Sequence, residues 1–429
     1  MTSFHYRCSL CGAEYAPDQV AYVCPRHGDS GNLDVILDLD AARRAASPAS
    51  IGASRDPSLW RYLPLLPVDD PGRAGTPLRA AGGTPLYRAD RLAADLGLKH
   101  VYLKDDGRNP TASFKDRASA VVVARALELG VQTVTTASSG NAAAALAGMA
   151  ASAGLPTVIF VPHTAPQAKV AQLLMYGARV FLVQGTYDDA FDLTLQAARE
   201  FGWYCRNTGY NPFTREGKKT AAFEIAEQYT RYQSPASDPP VWQVPDWVFV
   251  SVGDGNIISG IHKGFQDLRA LGWIERLPRL VGVQAEGSPA VHDAWASGTE
   301  DILPKPAETI ADSISVSLPR DGVRAVRAAR ETNGGYLTVS DREILHGMRL
   351  LARRAAVFAE PAAATAYCGL ARAACDGMLR PDESAVVVLT GSGLKDVKSA
   401  LQAAGDAALR VEPSLDALKR VLAAESAAV

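Results

Sequence analysis

The chain of 429 residues is poor in cysteine, carries almost no net charge, and over one long stretch has no charged residue at all. Its six cysteines are too sparse for a disulfide scaffold. Lys plus Arg number 44 against 46 Asp plus Glu, a net charge of −2. That balance argues against a generic nucleic-acid binder or a polybasic membrane-surface protein. Between Glu128 and Lys169 there is no Asp, Glu, Lys or Arg. A membrane-spanning helix needs about 20 mostly apolar residues in a row. Here Ser138, Ser139, Gly140, Asn141, Ser152, Gly154 and Pro156 interrupt the run, which therefore reads as protein interior. The opening MTSFHYRCSLCG lacks a basic-then-apolar signal region, so a cytoplasmic location is expected. Metalloprotease, catalytic-triad and nucleophile-elbow spacings are absent, as is a G-x-x-x-x-G-K-[ST] phosphate loop.

What is present is a β-then-α rhythm from residue 100 onward. Strands are predicted at 101–104, 132–137, 157–161, 179–183, 246–252, 280–285 and 385–390. Helices are predicted at 117–129, from Asn141 to Gly154, and up to Gly177. Several strands are apolar runs without alternation, as when both faces are buried. The fold class is therefore α/β, with doubly wound parallel sheets. Residues 1–44 form a separate small unit, joined by a proline-rich stretch at 45–77.

Five local patterns carry chemistry. Cys8-x2-Cys11 and Cys24-x2-His27 have the spacing of two knuckles closing a tetrahedral site, with Gly12 and Gly28 turning each knuckle. Thiolates and imidazole suit zinc, and four filled positions point to a structural ion. In NPTASFKDR (109–117), Ser113-x-x-Asp116 has capping-box spacing, placing Lys115 in a first helical turn. The partial positive charge there lowers a lysine's pKa, which suits condensation with a carbonyl. Ser138-Ser139-Gly140-Asn141 lies between a strand and a helix, where backbone N–H groups receive anions. Gly253-Asp254-Gly255-Asn256 follows an apolar strand; with the next glycine at Gly260 it misses the dinucleotide fingerprint and fits a cofactor phosphate better. Thr390 sits at the end of the last strong strand, a place that faces a sheet crevice.

In this order, these segments resemble the fold-type II pyridoxal-phosphate enzymes, and among them most the threonine synthases. Trp60-Arg61-Tyr62, Leu65-Leu66-Pro67, Gly83-Thr84-Pro85-Leu86, Glu216-Gly217-Lys218-Lys219-Thr220, Glu360-Pro361 and TGSGLKD (390–396) support the resemblance, which covers about residues 55–400. It implies two parallel-sheet domains, the larger from 45–118 and 207–429, the smaller, substrate-gripping one from 119–206, closing over pyridoxal phosphate. Lys115 would carry the cofactor and shuttle protons. Phe114 would contact the cofactor ring, Asn141 its ring oxygen and Thr390 its pyridine nitrogen. Gly253, Asp254, Gly255, Asn256 and Ile257 would cradle its phosphate, and Ser138, Ser139 and Gly140 would receive the substrate carboxylate. The activity implied is conversion of O-phosphohomoserine and water to threonine and phosphate, by a homodimer acting on a small amino acid, with no nucleic-acid or membrane partner. Two positions depart from the family. Ala142 stands where Thr or Ser is usual, and Thr214 where Arg is common; both help hold the substrate phosphate in relatives. Arg215, Lys218 and Lys219 are the replacement cations, Arg215 foremost. The alternative is β-replacement or β-elimination on O-phosphoserine, serine or threonine, as in a cysteate synthase or dehydratase.

Overall fold

The computed structural model describes residues 3–138, 140–163, 165, 167–234, 241–405 and 408–428. Thirteen strands are described: β1 (Phe4–Cys8), β2 (Glu14–Tyr15), β3 (Leu33–Leu37), β4 (Leu86–Arg88), β5 (His100–Asp105), β6 (Val134–Ala137), β7 (Thr157–Pro162), β8 (Arg179–Val183), β9 (Tyr204–Cys205), β10 (Trp247–Ser251), β11 (Arg279–Ala285), β12 (Gly335–Val339) and β13 (Ser384–Leu389). They form a three-stranded sheet β2-β1-β3, a six-stranded sheet β12-β11-β10-β13-β5-β4 and a four-stranded sheet β8-β7-β6-β9.

The four-stranded sheet is wholly parallel. The six-stranded sheet is parallel except at one edge, where β4 runs antiparallel to β5. This corrects the purely parallel reading. β4 is a three-residue strand whose Tyr87 and Arg88 are exposed, too short and too polar to stand out as a strand in the sequence. The central strands Trp247–Ser251 and Ser384–Leu389 are buried throughout, as their unalternating apolar sequences require. No described helix is long and apolar enough to cross a membrane.

The uncharged stretch becomes β6, the alanine-rich Asn141–Ala153 helix, and β7. Alanine suits that helix twice over: it has the highest helix propensity and lets neighbours pack closely. Gly154 ends it in the left-handed region at φ 71°. The N-terminal unit is a small antiparallel sheet whose apolar face, including Phe4, Tyr6 and Val35, shares a core with Val121–Ala126 and Phe213.

Candidate active site

A cleft of about 580 Å³ opens where β6 and β10 end and two helices begin. From one side come Ala137, Ser138, Gly140, Asn141 and Ala142; from the other come Lys115, Lys218, Ser251 and the loop Gly253–Ile257.

Lys115 is the first residue of the Lys115–Glu128 helix and reaches the cleft, where its amine has no hydrogen-bond partner among the described residues. Burial lowers its pKa to about 8, helped by the Arg206 charge and opposed by Glu360 and Asp254. The expected capping box is not formed. The helix is preceded by Phe114 in helical conformation, and the Ser113 hydroxyl is buried without a partner. Asp116 instead turns back, accepting from the Thr111 amide at 2.6 Å and from its hydroxyl. Ala112 is held at φ 63°, a costly conformation for a residue with a Cβ. The Ser392 amide fixes it by donating to the Ala112 carbonyl at 3.1 Å.

Gly253–Asn256 joins β10 to the Asn256–Leu271 helix, so its amides face the cleft at a helix N-terminus. Gly255 has φ 88°, and a Cβ there would lie 2.7 Å from the Ala325 Cβ and 2.8 Å from the Asp321 carbonyl oxygen. At Gly253 it would lie 2.9 Å from the Ile314 Cα. Such a cradle, with bare N–H groups on a positive helix end, fits a phosphate. Asn256 is held rigidly: its amide donates to Asp321 at 2.7 Å, and its oxygen accepts from Lys218 and from Thr214.

On the opposite wall, Gly140 caps the Asn141–Ala153 helix, and its N–H donates to the Ser138 hydroxyl at 3.1 Å. Ser139 lies outside the described residues. The Asn141 amide donates to Glu360 at 2.8 and 3.1 Å. Burial raises the Glu360 pKa, while the Asn141 hydrogen bond and the Lys115 charge oppose this.

Three expected contacts are placed differently. The Phe114 ring is fully buried in the core, with the Arg117 guanidinium 5.6 Å from its centre, and does not line the cleft. Its backbone N–H donates to the Thr390 carbonyl at 2.8 Å. Thr390 is buried behind the lysine segment; its hydroxyl hydrogen-bonds no described residue. Arg215 does not face the cleft at all, since it pairs with Asp34 of the N-terminal unit and donates to the Ser259 carbonyl. Lys219 pairs with Glu216 and Asp267. Of the three cations, Lys218 alone lines the cleft among the described residues. Residues 215 and 218 are only about 60° apart around the helix; different partners, Asp34 for Arg215 and Asn256 for Lys218, draw them apart.

Away from the cleft, Cys8, Cys11, Cys24 and His27 bring four ligand atoms within 4.8 Å of one another. Gly12 and Gly28 turn the knuckles at φ 70° and 53°.

Residues 78–391 match the pyridoxal-phosphate dependent enzyme family. The chain is 39% identical to a threonine synthase of Methanocaldococcus jannaschii, over 97% of this chain and 98% of that one. It is 38% identical to a threonine synthase of Methanosarcina acetivorans, over 98% of each. The chain belongs to the threonine synthase family. That family uses pyridoxal phosphate on the fold-type II scaffold, and the fold agrees with it. A processed threonine deaminase isoform 2 from Solanum lycopersicum superposes with a TM-score of 0.65 at 22% identity, covering 82% of this chain and 94% of that one.

The family's sequence signature does not announce the ion-pair network behind the lysine. Arg117 pairs with Asp106 at 2.6 Å and Glu224 at 2.6 Å, and Lys104 joins Glu224 at 2.6 Å, all fully or nearly fully buried. The only sequence signal was a lysine inside an apolar strand and a Lys-Asp-Arg triplet at a helix start.

Proposed function

We propose that this protein converts O-phosphohomoserine and water to threonine and phosphate, a lyase reaction dependent on pyridoxal phosphate. The carrying observation is that the Lys115 amine, without a hydrogen-bond partner among the described residues, lines one cleft with the Gly253–Ile257 cradle. When bound, pyridoxal phosphate supplies an electron sink next to the substrate Cα. The chain's own groups do the rest. Lys115 carries the cofactor and, once released, accepts the Cα proton and helps move a Cβ proton. A pKa of about 8 lets it both take and return protons near neutral pH. The Gly253, Asp254, Gly255, Asn256 and Ile257 backbone holds the cofactor phosphate. Asn141, fixed by Glu360, meets its ring oxygen. Thr390, buried behind the lysine segment, would set a neutral hydroxyl rather than an acid on the side of the pyridine nitrogen and so leave it largely unprotonated. Ser138, Ser139, Gly140 and the amides of that helix N-terminus receive the substrate carboxylate, beside the Ala142 methyl. Residues 119–206, which contain the four-stranded sheet, act as the domain that closes on the substrate.

Cys8, Cys11, Cys24 and His27 are proposed to hold a structural zinc. Their donor set and mutual reach support it, and four protein ligands leave no open position for catalysis. One equivalent of zinc in the purified protein is expected.

The deciding assay compares O-phosphohomoserine with O-phosphoserine, scoring phosphate release and threonine together. Both products from O-phosphohomoserine are expected. Release from O-phosphoserine alone would replace this reading with β-elimination chemistry.

A further inference from the structure

Residues 9–30 of the N-terminal unit have no apolar core of their own. Cys24 is the one buried residue in that stretch. What gathers its loops is the reach of Cys8, Cys11, Cys24 and His27 to a common point. A bound ion there does the ordering that apolar burial does elsewhere in the chain. The loops so gathered touch both domains. On the large-domain side, the Arg327 guanidinium donates to the Ser9 carbonyl at 2.6 Å, and the Asn32 amide donates to the Arg320 carbonyl at 2.8 Å. The segment between those arginines backs the cofactor cradle, since Asp321 donates its N–H to the Asp254 carbonyl at 2.9 Å. On the other side, the Tyr22 hydroxyl accepts from the Cys205 N–H at 3.0 Å, and Asp29 pairs with Arg199 at 2.7 Å. Arg199 and Cys205 lie on the last helix and strand within residues 119–206. The Tyr22 ring also stacks on Tyr210, 4.7 Å between centroids, just past the point where the chain returns to the large domain. Ser9 adjoins Cys8, Tyr22 stands just before Cys24, and Asp29 just after His27.

We propose that the metal-loaded N-terminal unit is a bracket across the domain hinge, and that metal occupancy thereby sets how readily residues 119–206 close on the amino-acid substrate. This rests on the reading above that residues 119–206 are the closing domain. The lever is the Tyr187–Phe201 helix. Its first turn lines the cleft, where Asp188 pairs with Arg320 at 2.7 Å. Its last turn is held by Asp29 through Arg199. A helix is stiff over its length, so fixing the far end restrains the end at the cleft. Arg320 belongs to both contacts: its carbonyl receives Asn32 and its guanidinium receives Asp188. With the bracket formed, the two walls already stand near each other when substrate arrives. Without it, the closed arrangement is a smaller fraction of the population, and the apparent affinity for substrate falls by that fraction. Tyr22 and Asp29 touch neither Lys115 nor the Gly253–Ile257 cradle, so substrate affinity and cofactor affinity separate at these two residues.

The test compares zinc-loaded holoenzyme with the Tyr22→Ala, Tyr22→Phe and Cys11→Ala variants. The measurements are zinc content, cofactor affinity, and amide hydrogen exchange of residues 119–206 with and without the phosphonate analogue of O-phosphohomoserine. Tyr22→Ala is expected to keep its zinc, and its cofactor affinity within about twofold. It should exchange faster over residues 187–206 and bind the phosphonate about tenfold more weakly, the order expected for losing a stacked ring pair and a hydrogen bond. Its KM for O-phosphohomoserine should rise by a similar factor with kcat little changed. Tyr22→Phe retains the stack and should recover most of the difference. Cys11→Ala should lose zinc and loosen the same residues at least as much. The bracket is overturned if Tyr22→Ala and Cys11→Ala close on the phosphonate as wild type does, or if Tyr22→Ala loses cofactor and phosphonate in equal measure. Wild type that gains no protection over residues 119–206 from the phosphonate would remove the closing-domain reading and the bracket with it. Wild type that makes no threonine, yet closes in a zinc-dependent way, would refute the reaction and support the bracket.

Discussion

Lys115 illustrates how little of a residue's chemistry is intrinsic to it. An ordinary lysine titrates near 10.4, yet burial beside Arg206 brings this one to about 8. The free base captures an aldehyde, so apoprotein should take up pyridoxal phosphate faster as pH rises. The rate should climb about tenfold per pH unit below 8 and level off above it, read from the growth of cofactor absorbance. Lys115→Ala should give no such band. Gly255 makes a second residue-scale case. Gly255→Ala would meet both a φ of 88° and two atoms inside 3 Å, so the cradle must move. Cofactor affinity should fall by at least about tenfold in an equilibrium titration, with the far-ultraviolet spectrum unchanged.

Elements, rather than single side chains, set where the lysine points. The Lys115–Glu128 and Phe213–Gln233 helices approach so closely that Gly217 lies against the Arg117 backbone. Arg117 then stitches Asp106, Thr84 and Glu224 together from the core side. Arg117→Ala would leave Asp106 buried without its cation and Glu224 with Lys104 alone, a loss of ~3–5 kcal/mol that thermal or urea unfolding would register. The strands of this region were legible in the sequence because burial on both faces writes an unbroken apolar run. Trp247–Ser251 and Ser384–Leu389 are examples. The Ser113-x-x-Asp116 spacing forms no capping box, because Thr111 competes for the aspartate and Gly391 bridges to Ser113. Local pattern cannot report a partner nearly 280 positions away.

At the scale of the whole molecule, the N-terminal unit is wired to the cofactor cradle. Its Asn32 amide donates to the Arg320 carbonyl at 2.8 Å, and its Asp34 accepts from Arg324 at 2.8 Å. Arg324 pairs in turn with Asp321, which accepts from Asn256 at 2.7 Å and from Ser259 at 2.5 Å. Disturbing the knuckles should therefore reach the cleft. Asn32→Ala, or removal of metal by a chelator, should weaken cofactor binding several-fold. Dialysis against graded cofactor would measure it, and an unchanged affinity would show the two units to be independent. Contacts also cross the cleft, among them Asn141 with Glu360, Lys169 with Asp312 and Arg320 with Asp188. They hold the two walls together through side-chain contacts.

The stretch without charge between Glu128 and Lys169 shows where sequence ends and tertiary structure begins. Sequence alone determined that it was interior, that glycine would stop its helix at 154, and that its Ser-Gly-Asn turn could offer backbone donors. It likewise determined seven of the strands, the knuckle pairs and the lysine motif, because each depends on neighbours within a few positions. Tertiary structure decided which groups face one another. It sent Arg215 outward to Asp34 and kept Lys218 in the cleft, though both sit in one short charged segment. Packing partners far away in the chain, Asp34 and Asn256, make that choice, and they are not written in the local sequence.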